Sequence, residues 1–216
     1  DWSIKKLKRY ENSGSYVNTL DGDSSEINQK ILLLMTAFHV STPTLSYKYW
    51  LNGVLYWLYQ NTDKSESDYF NALQHLARKF IFQRYLNEKQ IDYFDLIYGN
   101  QTIDDFKIDQ SKLSFGNIEN NFVFNYLDFL IYCDAENSND KVIKNFKFTQ
   151  RSSVEHFYAQ QIEGERDKLD HENLHRFGNL CLISSSKNSS IGNRLPSAKR
   201  DYFRHEIKKG KIDTLK

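Results

Sequence analysis

The sequence has few of the residues that bend or cross-link a chain: two prolines, two cysteines and one methionine among 216 residues. So few prolines leave long helices uninterrupted, and Cys133 and Cys181 alone form neither a disulfide framework nor a Cys-x-x-Cys metal site. The sequence also lacks an apolar run long enough to cross a membrane, and it has no signal-peptide pattern. These absences predict a cytoplasmic protein with no membrane partner.

What the sequence has in excess is aromatic residues, at 15% of the chain, together with an uneven distribution of charge. Residues 1–140 carry 13 Lys and Arg against 19 Asp and Glu, whereas residues 141–216 carry 16 against 9. The basic part is therefore the candidate for contact with an anionic partner such as nucleic acid, although a solvated basic surface would show the same charge. The chain begins at Asp1 rather than at methionine, which predicts a piece of a longer protein.

Hydrophobic spacing predicts a helical assembly over about the first 135 residues. Apolar residues recur at helical intervals in four segments, which are residues 26–42, 47–60, 67–87 and 120–133. The polar, turn-forming stretch from Ala135 to Lys141 then marks a boundary. We therefore predict a helical domain over residues 1–138 and a second domain over residues 139–216.

The hydrophobic period changes in the second domain. Parts of residues 144–158 alternate between apolar and polar types and predict a strand or extended chain, and Asn179 to Ser184 predict a second strand. A helix or turn follows among the serines after Ser184 and is interrupted by Pro196, and a last helix is predicted to begin at a Ser197 cap and to end at Gly210. The fold class predicted for the whole chain is α+β, mostly α.

One stretch of the second domain, His171 to Cys181, contains H-E-x-x-H, the zinc signature of metallopeptidases. That chemistry needs both histidines one turn apart on a rigid helix, with the glutamate acting on a zinc-bound water. Here the preceding residues are polar, a glycine and a strand-like run follow at once, and no methionine lies downstream for the Met turn of the extended form. We interpret the match as accidental and the stretch as a loop.

A different constellation begins with Glu155 and His156, at the end of the first predicted strand. A carboxylate suits a metal ion, and an adjacent imidazole suits proton transfer. Asn179 opens the second predicted strand and Asn188 lies near the start of the next helix, where an asparagine can supply a neutral oxygen to a hard cation. A strand, strand and helix unit is expected to bring His156 and Asn188 to one face.

The runs VEHFYAQQ, HRFGNLCLISSSKNSSIGN and LPSAKRDYF resemble the carboxy-terminal HNH nuclease domain of GmrSD-type restriction proteins, also called the DUF1524 family. The resemblance covers the chain from about Asn145 onward and is loose over the helical part, which in these proteins follows an amino-terminal nucleotide-hydrolysing DUF262 domain. It departs from the family pattern at Ala159, where a proline is usual. It implies a ββα-metal fold, similar to the HNH nuclease of RNA-guided CRISPR effectors.

The resemblance also implies a role for each residue of the site. His156 corresponds to the general base, and Asn179 to the asparagine that fixes the loop carrying the histidine. Glu155 and Asn188 correspond to the ligands of one Mg²⁺ or Mn²⁺ ion. His175 is a possible neighbour of the site. Further basic side chains correspond to contacts with DNA phosphates, namely Lys187, Lys199 and Arg200.

The leading hypothesis is a metal-dependent DNA endonuclease module from a modification-dependent restriction or anti-phage defence protein. Its partners are DNA and the amino-terminal nucleotide-hydrolysing domain, whose motifs do not occur in this sequence. One alternative is a catalytically silent DNA-binding or interaction module with the same fold, against which the joint presence of Glu155, His156 and Asn188 argues. The weakest alternative is a zinc metallopeptidase.

Overall fold

A computed structural model of the protein describes residues 5–11, 13–18, 26–100, 102, 106–135, 140–161 and 169–216. Over these residues the fold is α+β and mostly helical, with two antiparallel sheets of two strands each, so the predicted class is confirmed. The predicted domain boundary between residues 138 and 139 lies outside the described residues, and the division into two domains stays a prediction. Within the described part of the chain, every helix is too short or too polar to span a bilayer.

A β-hairpin precedes the helices, which the sequence analysis did not predict. It consists of β1 (Lys5–Tyr10) and β2 (Ser13–Asn18), paired so that Tyr10 lies opposite Ser13 and Lys5 opposite Asn18. The expectation of a purely helical amino-terminal region is therefore wrong over these residues. A short hairpin is specified by its turn and its cross-strand pairs, neither of which produces a helical period.

The four helices predicted from hydrophobic spacing are confirmed, and a short fifth one lies among them. In chain order the helices are α1 (Glu26–Ser41), α2 (Tyr49–Gln60), α3 (Glu66–Lys79), α4 (Tyr93–Tyr98) and α5 (Phe122–Asp134). The third prediction extended to Asn87, whereas α3 ends at Lys79 and continues as π-helical turns over Phe80–Tyr85. Hydrophobic spacing does not separate α from π turns, because both keep apolar side chains on one side of the segment.

Stacked aromatic rings join these helices into one core. The Phe38 ring of α1 stacks on Trp50 of α2 at a centroid distance of 5.3 Å and on Phe122 of α5 at 4.1 Å. Phe80 meets the Phe38 ring edge-on at 5.7 Å. All four side chains are buried. The high aromatic content of the sequence is thus used in the core, where large rings bury much apolar surface.

The carboxyl-terminal part contains both strands that the sequence predicted. It also has helices at the two positions predicted after the second strand, and two further short helices. In chain order its elements are α6 (Lys141–Lys144), β3 (Ser153–His156), α7 (His171–His175), β4 (Leu180–Ile183), α8 (Ser185–Ile191) and α9 (Pro196–Lys208). The segment from His171 to His175 is therefore helical, and its interpretation as a loop is wrong. Asp170 begins this helix by accepting a hydrogen bond from the Asn173 backbone amide at 2.9 Å.

The two ends of α9 test the predicted start and stop signals. The helix begins at Pro196 with Leu195 in the N-cap position, so the predicted Ser197 cap is wrong. Proline fits the first helical position because its missing N–H has no partner there in any case. The predicted stop at Gly210 is confirmed, since this glycine follows the helix with a φ of 73°.

The β3 and β4 strands form a hairpin that packs on both faces. Val154 lies opposite Leu182 and His156 opposite Leu180. Side chains alternate along β4, so Leu180 and Leu182 pack against Phe124 of α5. Cys181 and Ile183 project to the other face and pack against residues of α8 and α9, namely Ile191, Tyr202 and Phe203. The hairpin therefore lies between α5 on one side and the last two helices on the other.

A buried polar network fixes the start of β3 to α5. Arg151, two residues before the strand, donates from Nη1 to Asp128 Oδ2 at 3.0 Å and from Nη2 to Asn125 Oδ1 at 2.6 Å. Asn125 in turn donates to the Ser41 hydroxyl of α1 at 2.7 Å. The second oxygen of Asp128 accepts three hydrogen bonds from the last residues of the chain, Thr214, Leu215 and Lys216. The network thereby links the helical core, the hairpin and the carboxyl-terminal segment.

Candidate active site

The end of β3 presents Glu155 and His156 on opposite faces of the hairpin, because neighbouring residues of a strand point in opposite directions. Glu155 shares its face with Cys181 and with α9, whereas His156 shares its face with Leu180. Asn188 contacts Ser153, which lies on the face of Glu155. The pleat of β3 therefore groups Asn188 with Glu155 rather than with His156, contrary to the expectation from the sequence.

Glu155 is held by a lysine that is fully enclosed. The Lys199 side chain is 0% exposed, and its Nζ donates to Glu155 Oε1 at 2.6 Å. The same ammonium group donates to the backbone carbonyl of His156 at 2.6 Å. The Glu155 side chain keeps 17% of its surface exposed. Lys199 thus fixes both the carboxylate and the backbone that carries the histidine, while the Glu155 side chain as a whole is not fully enclosed.

Asn188 is oriented by Ser153, a contact that the sequence analysis did not identify. The Asn188 Nδ2 atom donates to Ser153 Oγ at 2.6 Å. This bond uses the nitrogen of the amide and leaves its oxygen available to a cation. Because Ser153 and Glu155 are two residues apart in one strand, their side chains lie on the same face. The alternation of a strand is the signal by which Ser153 could have been found.

Glu155 and Asn188 fit the chemistry of a magnesium site. They offer one carboxylate and one amide oxygen, and Mg²⁺ prefers oxygen ligands and keeps several waters. Within the described residues there is no cluster of three or more His, Cys, Asp or Glu side chains that could hold a metal. An ion at Glu155 and Asn188 would accordingly complete its coordination with water and substrate oxygens.

Asn179 connects the loop after His156 to the helix before β4. Its Oδ1 atom accepts from the Tyr158 backbone amide at 2.7 Å, and its Nδ2 atom donates to the Tyr158 carbonyl at 3.1 Å and to the Leu174 carbonyl at 2.8 Å. Its backbone carbonyl accepts from the Phe157 amide at 2.8 Å. Only an amide side chain both donates and accepts in this way. The effect is to hold the backbone that follows His156.

The His156 imidazole lies in an enclosed environment. The residue is 4% exposed, its Nε2 atom lies 3.1 Å from His175 Nδ1, and the Phe115 ring lies 4.4 Å from its own ring, centroid to centroid. Burial lowers the pKa of His156 to about 4, and the charges of His175 and Lys199 act in the same direction. The imidazole is therefore neutral at pH 7 and has one nitrogen lone pair to accept a proton. Phe115 gave no signal in the sequence, since it lies outside any periodic segment.

The three basic residues assigned to DNA phosphates differ in their accessibility. The ammonium group of Lys187 is bound to Asp213 at 2.8 Å and to the Lys211 carbonyl at 2.9 Å, and that of Lys199 is bound as described above. Only Arg200 presents its charge to solvent, with a side chain that is 59% exposed. Contact with phosphate stays a prediction for all three residues, and two of them already have protein partners.

The H-E-x-x-H residues lie on α7, which has only five residues. The rings of His171 and His175 are one turn apart, at a centroid distance of 4.5 Å. However, Glu172 forms an ion pair with Arg176, and His175 Nδ1 faces His156. Since the described residues provide no third ligand beside them, the short helix does not favour a zinc peptidase.

Comparison with known proteins identifies one family. The family model for the C-terminal domain of GmrSD restriction endonucleases matches residues 101–214, a segment that runs from before α5 to beyond α9. The match includes every residue of the candidate site, and it begins before the predicted domain boundary. Neither the curated proteins nor the solved structures match the chain.

Proposed function

Because this chain belongs to the GmrSD restriction endonuclease family through its C-terminal domain, we propose that it is a metal-dependent DNA endonuclease of the HNH type. Membership of the family implies a restriction endonuclease function with DNA as the substrate, and the family has a separate amino-terminal domain. The finer proposal is that β3, β4 and α8 form a ββα-metal module with Mg²⁺ or Mn²⁺ as cofactor. A role in anti-phage defence is part of the same proposal.

One observation carries the proposal. A buried, neutral imidazole directly follows a glutamate whose side chain is not fully enclosed, and an oriented amide lies on the face of that glutamate. His156 is the proposed base, and Glu155 and Asn188 are the proposed metal ligands. None of these three side chains is required to fill the hydrophobic core. Enclosing a histidine and a carboxylate in this way costs solvation free energy, which favours a chemical role over a purely structural one.

In the proposed reaction His156 takes a proton from the water that attacks the scissile phosphate. Asn179 holds the backbone after His156, and Lys199 holds its carbonyl, so the imidazole is positioned before substrate binds. A bound divalent ion supplies electrostatic stabilisation of the phosphate and of the departing 3′ oxygen. Glu155 and Asn188 are the residues that would hold it.

The groove beside α8 is the proposed path of the DNA backbone. Its lining includes Gln161, Ser189, Asn193 and Arg194. Gln161 follows the loop that carries His156, and Ser189 follows Asn188, so the groove begins next to the candidate site. Arg194 and the exposed Arg200 supply positive charge for phosphate contacts. The excess of basic residues after residue 140 has the sign that this proposal requires.

The test is cleavage of supercoiled plasmid in the presence of Mg²⁺ or Mn²⁺, with EDTA as the metal-free control. We expect nicking by the wild-type chain and a loss of roughly 10²- to 10⁴-fold in His156→Ala, the usual contribution of a general base. His171→Ala is the matched control, because this exposed histidine of α7 packs on the ring of His175 but forms no hydrogen bond with His156.

The controls separate the alternatives. Nicking that survives in His156→Ala would refute the proposed base. Stoichiometric bound zinc in the wild type that is lost in His171→Ala would instead support the zinc peptidase. Binding of DNA without cleavage, by the chain joined to its amino-terminal domain and supplied with metal, would support the silent binding module.

A further inference from the structure

The structure brings two imidazoles together from different segments. His156 ends β3 and His175 ends α7, and His156 Nε2 lies 3.1 Å from His175 Nδ1. The position of α7 beside His156 is fixed by backbone pairing with the segment around Phe115. The Phe115 backbone amide donates to the His175 carbonyl at 2.9 Å, and Ser114 pairs with Arg176 in an antiparallel bridge.

Phe115 packs against both rings and excludes water from one side of the pair. Its ring lies 4.4 Å from the His156 ring and 5.7 Å from the His175 ring, between centroids, and it is nearly parallel to the latter at 22°. His156 is buried, so its Nε2 atom has few alternatives to the histidine beside it. A buried polar atom that lost this partner would be left unsatisfied.

A contact of this length between two imidazole nitrogens needs one proton on the line between them. If His156 Nε2 donates, then His156 Nδ1 carries the lone pair. If His175 Nδ1 donates, then His156 Nδ1 carries the hydrogen and has no lone pair to offer. The Gln160 side-chain nitrogen, a donor, lies 3.4 Å from each ring nitrogen of His156. Because this donor is equally far from both nitrogens, it does not distinguish the two arrangements. The proposed base role does, since His156 Nε2 is engaged with His175 and only a lone pair on Nδ1 is free to take a proton from water.

We propose that His175 is a positioning residue that accepts a hydrogen bond from His156 Nε2 and thereby keeps the lone pair of His156 on Nδ1. The direction of this hydrogen bond and its role in the reaction rest on the proposed function, whereas the contact between the two imidazoles does not. As the water oxygen bonds to phosphorus and the bond to the 3′ oxygen breaks, the proton of the water passes to Nδ1. The hydrogen on Nε2 stays where it is, so His175 receives no proton and the pair needs no rearrangement.

The first measurement is the tautomer of His156 in the metal-free, DNA-free chain, by two-bond nitrogen–proton NMR correlation after ¹⁵N labelling of histidine. We expect His156 to carry its hydrogen on Nε2 in the wild type. We expect the same tautomer in His175→Asn, whose amide oxygen can still accept, and a mixture of tautomers in His175→Leu, which cannot. His171→Leu is the matched control: it removes a ring that packs on His175 but leaves the hydrogen bond to His156 in place, so it should not change the tautomer of His156.

The second measurement is the rate of plasmid cleavage by the same variants. We expect kcat to fall roughly 10- to 100-fold in His175→Leu with KM nearly constant, as for other partners that orient a functional imidazole, and to recover in His175→Asn. Circular dichroism of each variant establishes that it is folded.

Either measurement can overturn the inference. A wild-type His156 with its hydrogen on Nδ1 refutes it, and so does a His175→Leu variant with unchanged tautomer and rate. If the wild type does not cleave DNA under any condition, the proposed function fails, but the NMR result still decides the hydrogen bond. The two failures are therefore distinguishable.

Discussion

Two buried ion pairs lie at the two ends of β3, and they differ in how completely the protein encloses them. Before the strand, Asp128 and Arg151 have side chains that are both 0% exposed, and each oxygen of Asp128 has protein donors. At the end of the strand, Lys199 is equally enclosed, but 17% of the Glu155 side chain is exposed. Among the described residues, only one of the two carboxylate oxygens of Glu155 has a donor.

The difference distinguishes Asp128, whose bonds within the protein give it a structural role, from Glu155, which can still bind a ligand. Burial raises the pKa of Asp128 and lowers that of Arg151, so each group loses solvation and depends on the other. Such a pair contributes little net stability, yet breaking it leaves a buried charge alone. Glu155 has a partner at one carboxylate oxygen and a side chain that is not fully enclosed, which is compatible with its proposed role as a metal ligand.

The largest effect on stability is expected from Asp128→Asn. This change leaves the Arg151 guanidinium buried without an anionic partner and should reduce the free energy of unfolding by about 3–5 kcal/mol. Urea denaturation measures it. The control is Asp201→Asn, whose side chain is 70% exposed and lies 3.9 Å from its arginine partner, and which should change stability by no more than about 0.5 kcal/mol. Similar losses of unfolding free energy in the two variants would show that burial of an ion pair does not determine the effect of breaking it.

Lys199→Met is expected to reduce the free energy of unfolding by a smaller amount, about 1–3 kcal/mol. The Glu155 carboxylate that loses its partner can be partly hydrated by water. The same change should tighten Mn²⁺ binding by roughly tenfold, since it removes a positive charge beside the proposed ligand Glu155. Isothermal titration of the metal-free protein measures this affinity. Arg200→Gln, which removes an exposed charge one residue further along α9, is the control. Weaker Mn²⁺ binding in Lys199→Met would mean that the lysine orients the carboxylate for the ion rather than competing with it.

The smallest effect concerns a third pair, Lys187 and Asp213, whose side chains are 9% and 12% exposed. Burial raises the pKa of Asp213, but hydrogen bonds from Lys187 and the Ser184 amide outweigh it, and the pKa lies below the ordinary 3.8. A lowered carboxyl pKa adds stability above pH 3.8 that is lost as the pH falls through the folded-state value.

We expect Asp213→Asn to reduce the free energy of unfolding by about 1–2 kcal/mol at neutral pH. We also expect this variant to lack the corresponding part of the acid-induced loss of stability below pH 3.8. Urea denaturation over a pH series measures both. A variant with the same acid dependence as the wild type would contradict the assignment of that dependence to Asp213.

The helices that were predicted correctly are those whose sequence patterns lie within a few neighbouring residues. The apolar stripes of α1, α2 and α5 identified these helices, and Gly210 identified the end of α9. The hairpin of β1 and β2 escaped prediction because its strands pair with each other and show no helical period. The Ser197 cap was wrong because Pro196, one residue earlier, already satisfies the first turn.

The candidate site divides in the same way. Glu155, His156, Asn179 and Asn188 were chosen from the sequence, and the structure gathers them around the β3 and β4 hairpin and α8. Of their partners, only His175 was named from the sequence, as a possible neighbour of the site. Phe115 lies far from them in the sequence, and Lys199 was assigned to the DNA surface because composition alone does not show that an ammonium group is enclosed.

The sequence by itself determined the class of fold, most of the helices and the residue types available for chemistry, because these depend on spacing over a few residues. Only the tertiary structure decided which faces the residues occupy and which groups they meet. The pleat of β3 separates Glu155 from His156, α9 delivers Lys199 to the carboxylate, and the pairing of Ser114 with Arg176 brings Phe115 and His175 to the imidazole. Hydrogen bonding and burial act between groups that are close in space, and closeness in space is a property of the folded chain.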